Sequence, residues 1–271
     1  MARRIITLLT DFGLKDSYVA QVKAVILKIV PDVQFVDISH LVEPQNIVEA
    51  AFMLGCSFRW FQKGTVHLVV VDPGVGGQRR PIAVEAGGYR FVGPDNGVLI
   101  PAARAAGNEI EAREITNRDL VMKSVSSTFH GRDVFAPVAA RLALGEPMDR
   151  VGPRVDDVVE LNIERPVVDG GEIVARVVHV DRFGNLQTNL HETDPVLTGI
   201  EKDNLTVSIM GLRLGNVVRS YSDVEEGGLL ALFGSCGYLE IAKRDGSAAS
   251  EIGVGIGARV VAAGATRAND L

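Results

Sequence analysis

The feature that most constrains this chain is the alternation, through its first half, of short apolar runs with segments of helical periodicity. Ile5 to Thr10 is a compact apolar run of strand length, followed by a polar loop from Asp11 to Ser17. Tyr18 to Val30 then sets Val19, Val22, Ile26 and Ile29 on one helical face, and Pro31 stops the helix. Gln34 to Ser39 reads as a second strand, Ile47 to Phe61 as a second helix, and Thr65 to Val71 as a third strand. That third strand is almost wholly apolar, as a strand buried on both faces of a largely parallel sheet must be. Strand, helix, strand, helix, strand in that order predicts an α/β domain.

The pattern changes after Asp72-Pro-Gly-Val-Gly-Gly77. Pro81 to Ala86 and Tyr89 to Val92 read as two strands around the turn Gly87-Gly88, and Asp133 is placed to cap a helix running to about Leu144. From Gly152 onward, Pro153, Pro166 and Gly170-Gly171 punctuate a stretch with little helical periodicity. Beyond it lie short β-like runs at Ile173 to Val180, Leu205 to Ile209, Leu229 to Phe233, Tyr238 to Ala242 and Arg259 to Ala262. The reading is an N-terminal α/β domain over residues 1–165 and a smaller all-β, barrel-like domain over residues 172–265. A chain of 271 residues is long enough to give both a core.

Composition narrows the partners. With 28 basic against 34 acidic residues the net charge is −6, which argues against a nucleic-acid partner, since a phosphate backbone needs clustered Lys and Arg. No apolar run approaches the roughly 18 residues that span a bilayer, and the apolar stretch before Asp11 is too short for a signal peptide. The two cysteines, Cys56 and Cys236, stand far apart, in neither a CxxC nor a zinc spacing. The expectation is a soluble cytoplasmic protein without a membrane partner.

In an open α/β sheet, ligands bind outside the carboxyl ends of the strands. Asp11 follows the first strand and Asp72 the third; either alone is as readily a loop starter, but two at one sheet edge favour a site. The glycines at Gly74-Val-Gly-Gly77 do not make a dinucleotide site, because a strand, not a helix N-terminus, follows them at Pro81. None of the five histidines forms a metal-binding pair, so no metal is expected. His67, His179 and His191 sit in or beside strands of ordinary composition, whereas His130 lies in the polar loop Ser126-Ser-Thr-Phe-His-Gly-Arg-Asp133. Asp181-Arg-Phe-Gly-Asn-Leu-Gln-Thr-Asn189 combines a ring, a carboxylate and carboxamides around a glycine, a set that suits a heterocycle and equally suits a β-turn. Ser235-Cys-Gly-Tyr-Leu-Glu-Ile-Ala242 is open in the same way.

Together these blocks form a pattern. Leu9-Thr-Asp-Phe-Gly13, Val70-Val-Asp-Pro-Gly-Val-Gly-Gly-Gln-Arg-Arg80, Gly93-Pro-Asp-Asn-Gly97, Thr128-Phe-His-Gly-Arg-Asp133, Asp181-Arg-Phe-Gly-Asn185 and Ser235 to Ala242 occur in order, from about Ile5 to Ala263. The chain resembles the S-adenosyl-L-methionine (SAM) hydroxide adenosyltransferases, the adenosine-forming SAM hydrolases related to the SAM-dependent fluorinase and chlorinase. The resemblance implies a homotrimer in which SAM lies between the N-terminal domain of one subunit and the C-terminal domain of its neighbour. It puts the catalytic set on Asp72, Arg79 and His130 and the ribose-binding carboxylate on Asp11. It puts adenine stacking on Phe183 and the amino-acid end on Asp181, Asn185 and Ser235, with Tyr238, Glu240 and Arg244 among the substrate-binding positions. Where many relatives read Val-Asn-Gln-Gly-Ser-Ala, this chain has Lys243-Arg-Asp-Gly-Ser-Ala248, so the side-chain contacts to adenine differ there. The halogenases carry a tyrosine at the position of Asp72 and lack the histidine, which favours the hydrolase branch. The alternatives are a chlorinase-like halide adenosyltransferase and a non-catalytic SAM or adenosine sensor.

The chemistry implied is attack of water on the ribose C5′. Methionine leaves as a neutral thioether, so neither a general acid nor a metal or other cofactor is expected; SAM is the substrate. Arg79 stays protonated and cannot be the base. At roughly 4 Å and an effective dielectric near 20 it favours hydroxide by about 4 kcal/mol, or about three pKa units. Water, starting near 15.7, stays mostly neutral at pH 7 even so. Proton removal during attack is therefore expected, with His130, aided by Asp72, as base or orienter.

Overall fold

A computed structural model describes residues 3–264. The chain divides into two compact units between Leu161 and Asn162. The outer ends expected for the two domains, residues 1 and 265, lie outside the described residues.

The first unit runs β1 (Ile5–Thr10), α1 (Tyr18–Ile29), β2 (Gln34–Ser39), α2 (Ile47–Ser57), β3 (Val66–Val70), β4 (Pro81–Ala86), β5 (Tyr89–Pro94), α3 (Ile100–Ala106), β6 (Ile110–Glu114) and α4 (Ala136–Ala143). Its six-stranded sheet has the order β2-β1-β3-β5-β4-β6. Neighbours among β2, β1, β3 and β5 pair parallel, and β4 runs antiparallel to β5 and β6. Successive strand residues feed opposite faces. Ile6, Leu8, Leu68 and Val70 join the core that holds Val22 and Ile26 of α1 and Val138 of α4. Leu9, Val69 and Val71 join the core that holds Leu54 of α2 and Ile100 of α3. Two covered faces explain why β3, His67 apart, is apolar rather than alternating.

After β1 the chain moves to β2 on one side; after β3 it moves to β4 and β5 on the other. The carboxyl ends of β1 and β3 thus flank the switch point, where an open α/β sheet leaves a crevice. Thr10 is opposite Val70 in that pair, so the loops starting at Asp11 and Asp72 leave the sheet side by side.

Two helices differ from the sequence reading. α2 ends at Ser57, and a separate 3₁₀ turn, Phe58–Trp60, completes the segment. The helix expected to begin at an Asp133 cap begins earlier, as a π-helical turn over Gly131–Phe135 that runs into α4. Asp133 does not cap it. Its carboxylate is fully buried, accepts from the Ser126 backbone N–H at 2.8 Å and pairs with Arg132 at 2.7 Å. A charged guanidinium next to it in sequence is a stronger partner than the neutral N–H groups of a helix end.

The second unit is all-β apart from short helical turns and one brief helix. It contains β7 (Val167–Asp169), β8 (Glu172–Val180), β9 (Leu186–His191), β10 (Thr206–Ile209), β11 (Leu212–Asn216), β12 (Leu229–Phe233), β13 (Tyr238–Lys243), α5 (Ala248–Ile252) and β14 (Arg259–Ala263). The order β11-β10-β14-β8-β9-β13-β12 is antiparallel throughout, with β7 added against β8. A bridge between Val218 and Leu232 brings the chain after β11 to β12, so the sheet is nearly closed into a barrel. Ile173, Val177, Leu186, Leu190, Leu239 and Ile241 fill its interior. Among the described residues no helix is long and apolar enough to cross a membrane.

Candidate active site

The residues singled out in the first unit converge on the switch point. Asp72 follows β3 after Val71, and the loop Pro73 to Gln78 turns back so that Arg79 faces it. Arg79 Nε donates to Asp72 Oδ1 at 2.9 Å and Oδ2 at 3.0 Å, and its Nη2 also donates to Oδ2. The same Nη2 lies 2.8 Å from His130 Nδ1, bridging side chains 51 positions apart. Phe135 lies beneath, its ring centroid 5.3 Å from the Arg79 guanidinium carbon. The Asp72 and Arg79 side chains are only 5% and 10% exposed, a setting in which charge pairs act more strongly than in water.

Close backbone packing holds these loops together. Gly76 has φ +74°, and a Cβ there would lie 2.2 Å from the Ser127 carbonyl oxygen. No other residue combines that left-handed conformation with that approach. At Gly131 a Cβ would meet Phe12 and Val70 at 3.2 Å, so the His130 loop lies against the ends of both β1 and β3. Phe12, Tyr18 and Phe129 pack beside it at centroid distances of 5.3–5.8 Å, Phe129 making an edge-to-face pair with each of the other two.

Protonation follows from the hydrogen bonds. An arginine N–H can only donate, so His130 Nδ1 must accept, and the neutral ring is assigned its proton on Nε2. Burial, and next the positive charge of Arg79, hold the imidazole below its ordinary pKa. His130 is therefore neutral around pH 7.

Asp11 leaves β1 with Oδ2 accepting from the Gln45 backbone N–H at 2.9 Å, and Gln45 adopts φ +67° to present it. The flanking backbone is tied to His40: Gly13 N–H donates to the His40 carbonyl at 2.7 Å, and Phe12 N–H donates to Thr10 Oγ1 at 3.3 Å. Thr10 Oγ1 in turn lies 2.8 Å from His40 Nδ1. Gln45, His40 and Asp133 are supporting residues that spacing alone does not reveal. The tight polar run before Asn46, itself the cap of α2, is the one signal that could have suggested Gln45.

In the second unit, Asp181 closes a turn upon itself. Its Oδ1 accepts from the backbone N–H groups of Phe183 and Asn185 at 2.8 and 2.9 Å, and Oδ2 accepts from Asn185 Nδ2 at 2.9 Å. Phe183 at the tip is 75% exposed. Gly184 (φ +81°) lies so near Ser247 that a Cβ would come within 2.0 Å of its hydroxyl, which seats the turn on the cap of α5. Glu240 is buried, bonded by Tyr221 OH at 2.6 Å and Gln187 Nε2 at 3.2 Å. Burial and the nearby Asp181 charge raise its pKa against the pull of those donors. Ser235 is exposed on the turn between β12 and β13, and Tyr238 packs on His191 with ring centroids 4.9 Å apart. Arg244 is half-buried and donates to the Val224 carbonyl at 2.7 Å. Among the described residues, no group of three or more His, Cys, Asp or Glu is placed to hold a metal ion.

The family models agree with this architecture. The SAM hydroxide adenosyltransferase N-terminal domain matches residues 6–152, and the C-terminal domain of that family matches residues 175–261. The chain belongs to the SAM hydroxide adenosyltransferase family. It is 41% identical over 259 residues to a protein of Salinispora tropica named (R)-S-adenosyl-L-methionine hydrolase, covering 94% of this chain and 96% of that one. A Thermus thermophilus protein of the same name is 38% identical over 257 residues, covering 93% and 96%. The crystal structure of an uncharacterized conserved protein from Thermotoga maritima superposes with a TM-score of 0.86 at 41% identity, over 95% of this chain and 99% of that one.

Proposed function

We propose that this chain hydrolyses S-adenosyl-L-methionine to adenosine and L-methionine, with Asp72, Arg79 and His130 as its catalytic residues. The observation that carries the reading is one guanidinium bonded to both Asp72 and His130 at the sheet's switch point, in a chain similar to named SAM hydrolases. In the reacting step a water oxygen bonds to the ribose C5′. The C5′–S bond breaks with its electron pair going to sulfur, and a water proton passes to a protein base. Because the leaving thioether is neutral, the step needs neither a general acid nor a Lewis acid.

Hydrogen bonding separates the two groups able to act on that water. His130 Nδ1 is occupied by Arg79 and Nε2 already bears a proton, which supports the ring as orienter. Asp72 Oδ1 accepts one bond from Arg79 and keeps acceptor capacity, which supports the carboxylate as base. Arg79 is already ion-paired, so its field at the water is weaker than the roughly 4 kcal/mol of an isolated charge at 4 Å. That favours proton transfer during attack over a preformed hydroxide.

Asp11, whose Oδ2 accepts from the Gln45 N–H, has a second carboxylate oxygen suited to accept from the ribose hydroxyls. Phe183 stacks on adenine, Asp181, Asn185 and Ser235 meet the amino-acid end, and Tyr238, Glu240 and Arg244 complete the binding set. The working form is a cytoplasmic homotrimer with each site completed by a neighbouring subunit, as the family pattern implies.

The test is incubation with SAM in oxygen-18 water, with and without chelator. The two sulfonium epimers are supplied separately, because the relatives' names specify R. Label in the 5′ hydroxyl of adenosine, at a rate the chelator leaves unchanged, is expected. Label elsewhere, or SAM bound without turnover, refutes the reading; chloro-deoxyadenosine in the presence of chloride would move the chain to the halide-using branch. Sedimentation as a monomer would remove the trimer.

A further inference from the structure

The motif Gly93-Pro-Asp-Asn-Gly97 has no role in the reading above, yet it sits where β5 ends, between the strand that enters the Asp72 loop and the strand that leaves it. β3 enters that loop and β4 carries the chain away after Arg79 and Arg80; β5 lies between the two. The two polar side chains of the motif turn inward, one to each root of the loop. Asn96 Nδ2 donates to the carbonyl of Val71, the residue before Asp72, at 2.9 Å, and its Oδ1 accepts from Val98 N–H at 3.2 Å. Asp95 takes the other root. Its backbone N–H donates to the Arg80 carbonyl at 2.9 Å, and its Oδ2 accepts from Arg80 Nε at 2.8 Å. Asp95 Oδ1 accepts from Val159 N–H at 2.9 Å, and the side chain is 1% exposed. Arg80 is held from its far side by the Asp157 side chain and carbonyl, each at 2.7 Å.

We infer that Asn96 and Asp95 are positioning residues that fix the separation of Asp72 and Arg79, and through Arg79 the orientation of His130. Neither touches substrate in this scheme. A loop with several glycines, Gly74, Gly76 and Gly77, has wide conformational freedom of its own, so a defined Asp72–Arg79 geometry requires anchoring at both ends. Displacements of about 1 Å in such a pair are enough to lower turnover by about 100-fold. The inference rests on the proposed hydrolysis for its consequence in rate, but its geometric content is independent of it.

The experiment compares wild type with Asn96→Ala, Asp72→Asn and the double variant, and uses Ile100→Val, a buried α3 residue that makes no side-chain hydrogen bond, as a control for lost stability. Asn96→Ala is expected to lower kcat for SAM about 10- to 100-fold with KM changed less than about 3-fold and to lose that effect in the Asp72→Asn background, while Ile100→Val keeps kcat at the wild-type value. Nitrogen-15 spectra of His130 should show the Nε2–H tautomer in wild type and a mixture in Asn96→Ala. If Asn96→Ala lowers only Tm, as the control does, with kcat and the His130 spectrum unchanged, the inference is overturned. If wild type fails to hydrolyse SAM while the spectrum still depends on Asn96, the functional reading falls and the clamp stands; if neither depends on Asn96, the clamp falls.

Discussion

The two units carry their polar residues in opposite ways. In the first, groups from distant loops interlock: Asp72, Arg79 and His130 share one guanidinium, and Asp133 and Arg132 tie down the loop that brings His130. In the second, the turn that offers the exposed ring is satisfied locally, while Glu240 is bonded from outside its own strand by Tyr221 and Gln187. Asp181 bonds within its own turn, and the large ring offered outward, Phe183, is exposed. The difference fits the two kinds of work proposed for these residues. Charge that must act on a reacting atom is pre-arranged, because reorganising it during the step would cost rate. A surface that only recognises a flat heterocycle needs a rigid turn and a free face.

The comparison breaks most sharply at Arg79. A lysine there keeps the charge but cannot donate in a fork to Asp72 while holding His130. Arg79→Lys should reduce kcat about 1,000-fold, within the range of lost acid–base positioning, with KM for SAM little changed; steady-state kinetics at wild-type-like kcat would erase the contrast.

A middle-sized effect concerns stability. His67 of β3 is fully buried among Phe58, Phe61, Tyr89 and Phe91, with Nδ1 2.8 Å from Thr7 Oγ1, and burial pushes its pKa down to about 4. The unfolded chain takes up this proton near pH 6.5, before the folded one does. Stability is thus complete above that pH and falls as pH drops through the window from about 6.5 to about 4. About 2 kcal/mol should be lost by about pH 5, since each unit corresponds to 1.36 kcal/mol. Amide exchange read at both pH values should show β3 losing protection. Equal loss in β9 of the second unit, or none in either, would contradict the assignment.

The smallest effect belongs to the exposed ring. Phe183→Ala should raise KM about 10-fold, the order of one base–aromatic stack, and leave kcat within a few-fold. A large loss of kcat with KM unchanged would place the ring in the chemistry instead.

Legibility in the sequence follows the same division. β1, α1 and β3 were readable because two-sided burial writes continuous apolar runs and one-sided burial writes a helical stripe. β9 was not, because Gln187 and Asn189 look like ligand groups while the inward residues Leu186, Thr188 and Leu190 carry a weak alternation. α3 and β6 are obscured by Pro101 in the first turn of one and by charges alternating along the other, an edge strand of the sheet. Asp133 shows a limit of local rules: in sequence it has the form of a cap, and a neighbouring arginine makes it a buried anchor. The carboxylates at the strand ends were legible from topology alone. That Arg79 reaches His130 was not, since no spacing rule relates side chains 51 residues apart; only the family resemblance joined them before the structure did.

The π turn after His130 has a consequence of its own. Its closing bond runs from Ala136 N–H to the Gly131 carbonyl, one residue wider than in an α-helix. Each residue of an α-helix advances the chain by about 100° around the axis. Removing one residue from Gly131–Phe135 would leave α4 seated on the sheet while turning His130 through about that angle, away from Arg79. The proposed site is thus set by a phase offset of a single residue, and a one-codon deletion is expected to silence it while Asp72, Arg79 and His130 all remain in the chain.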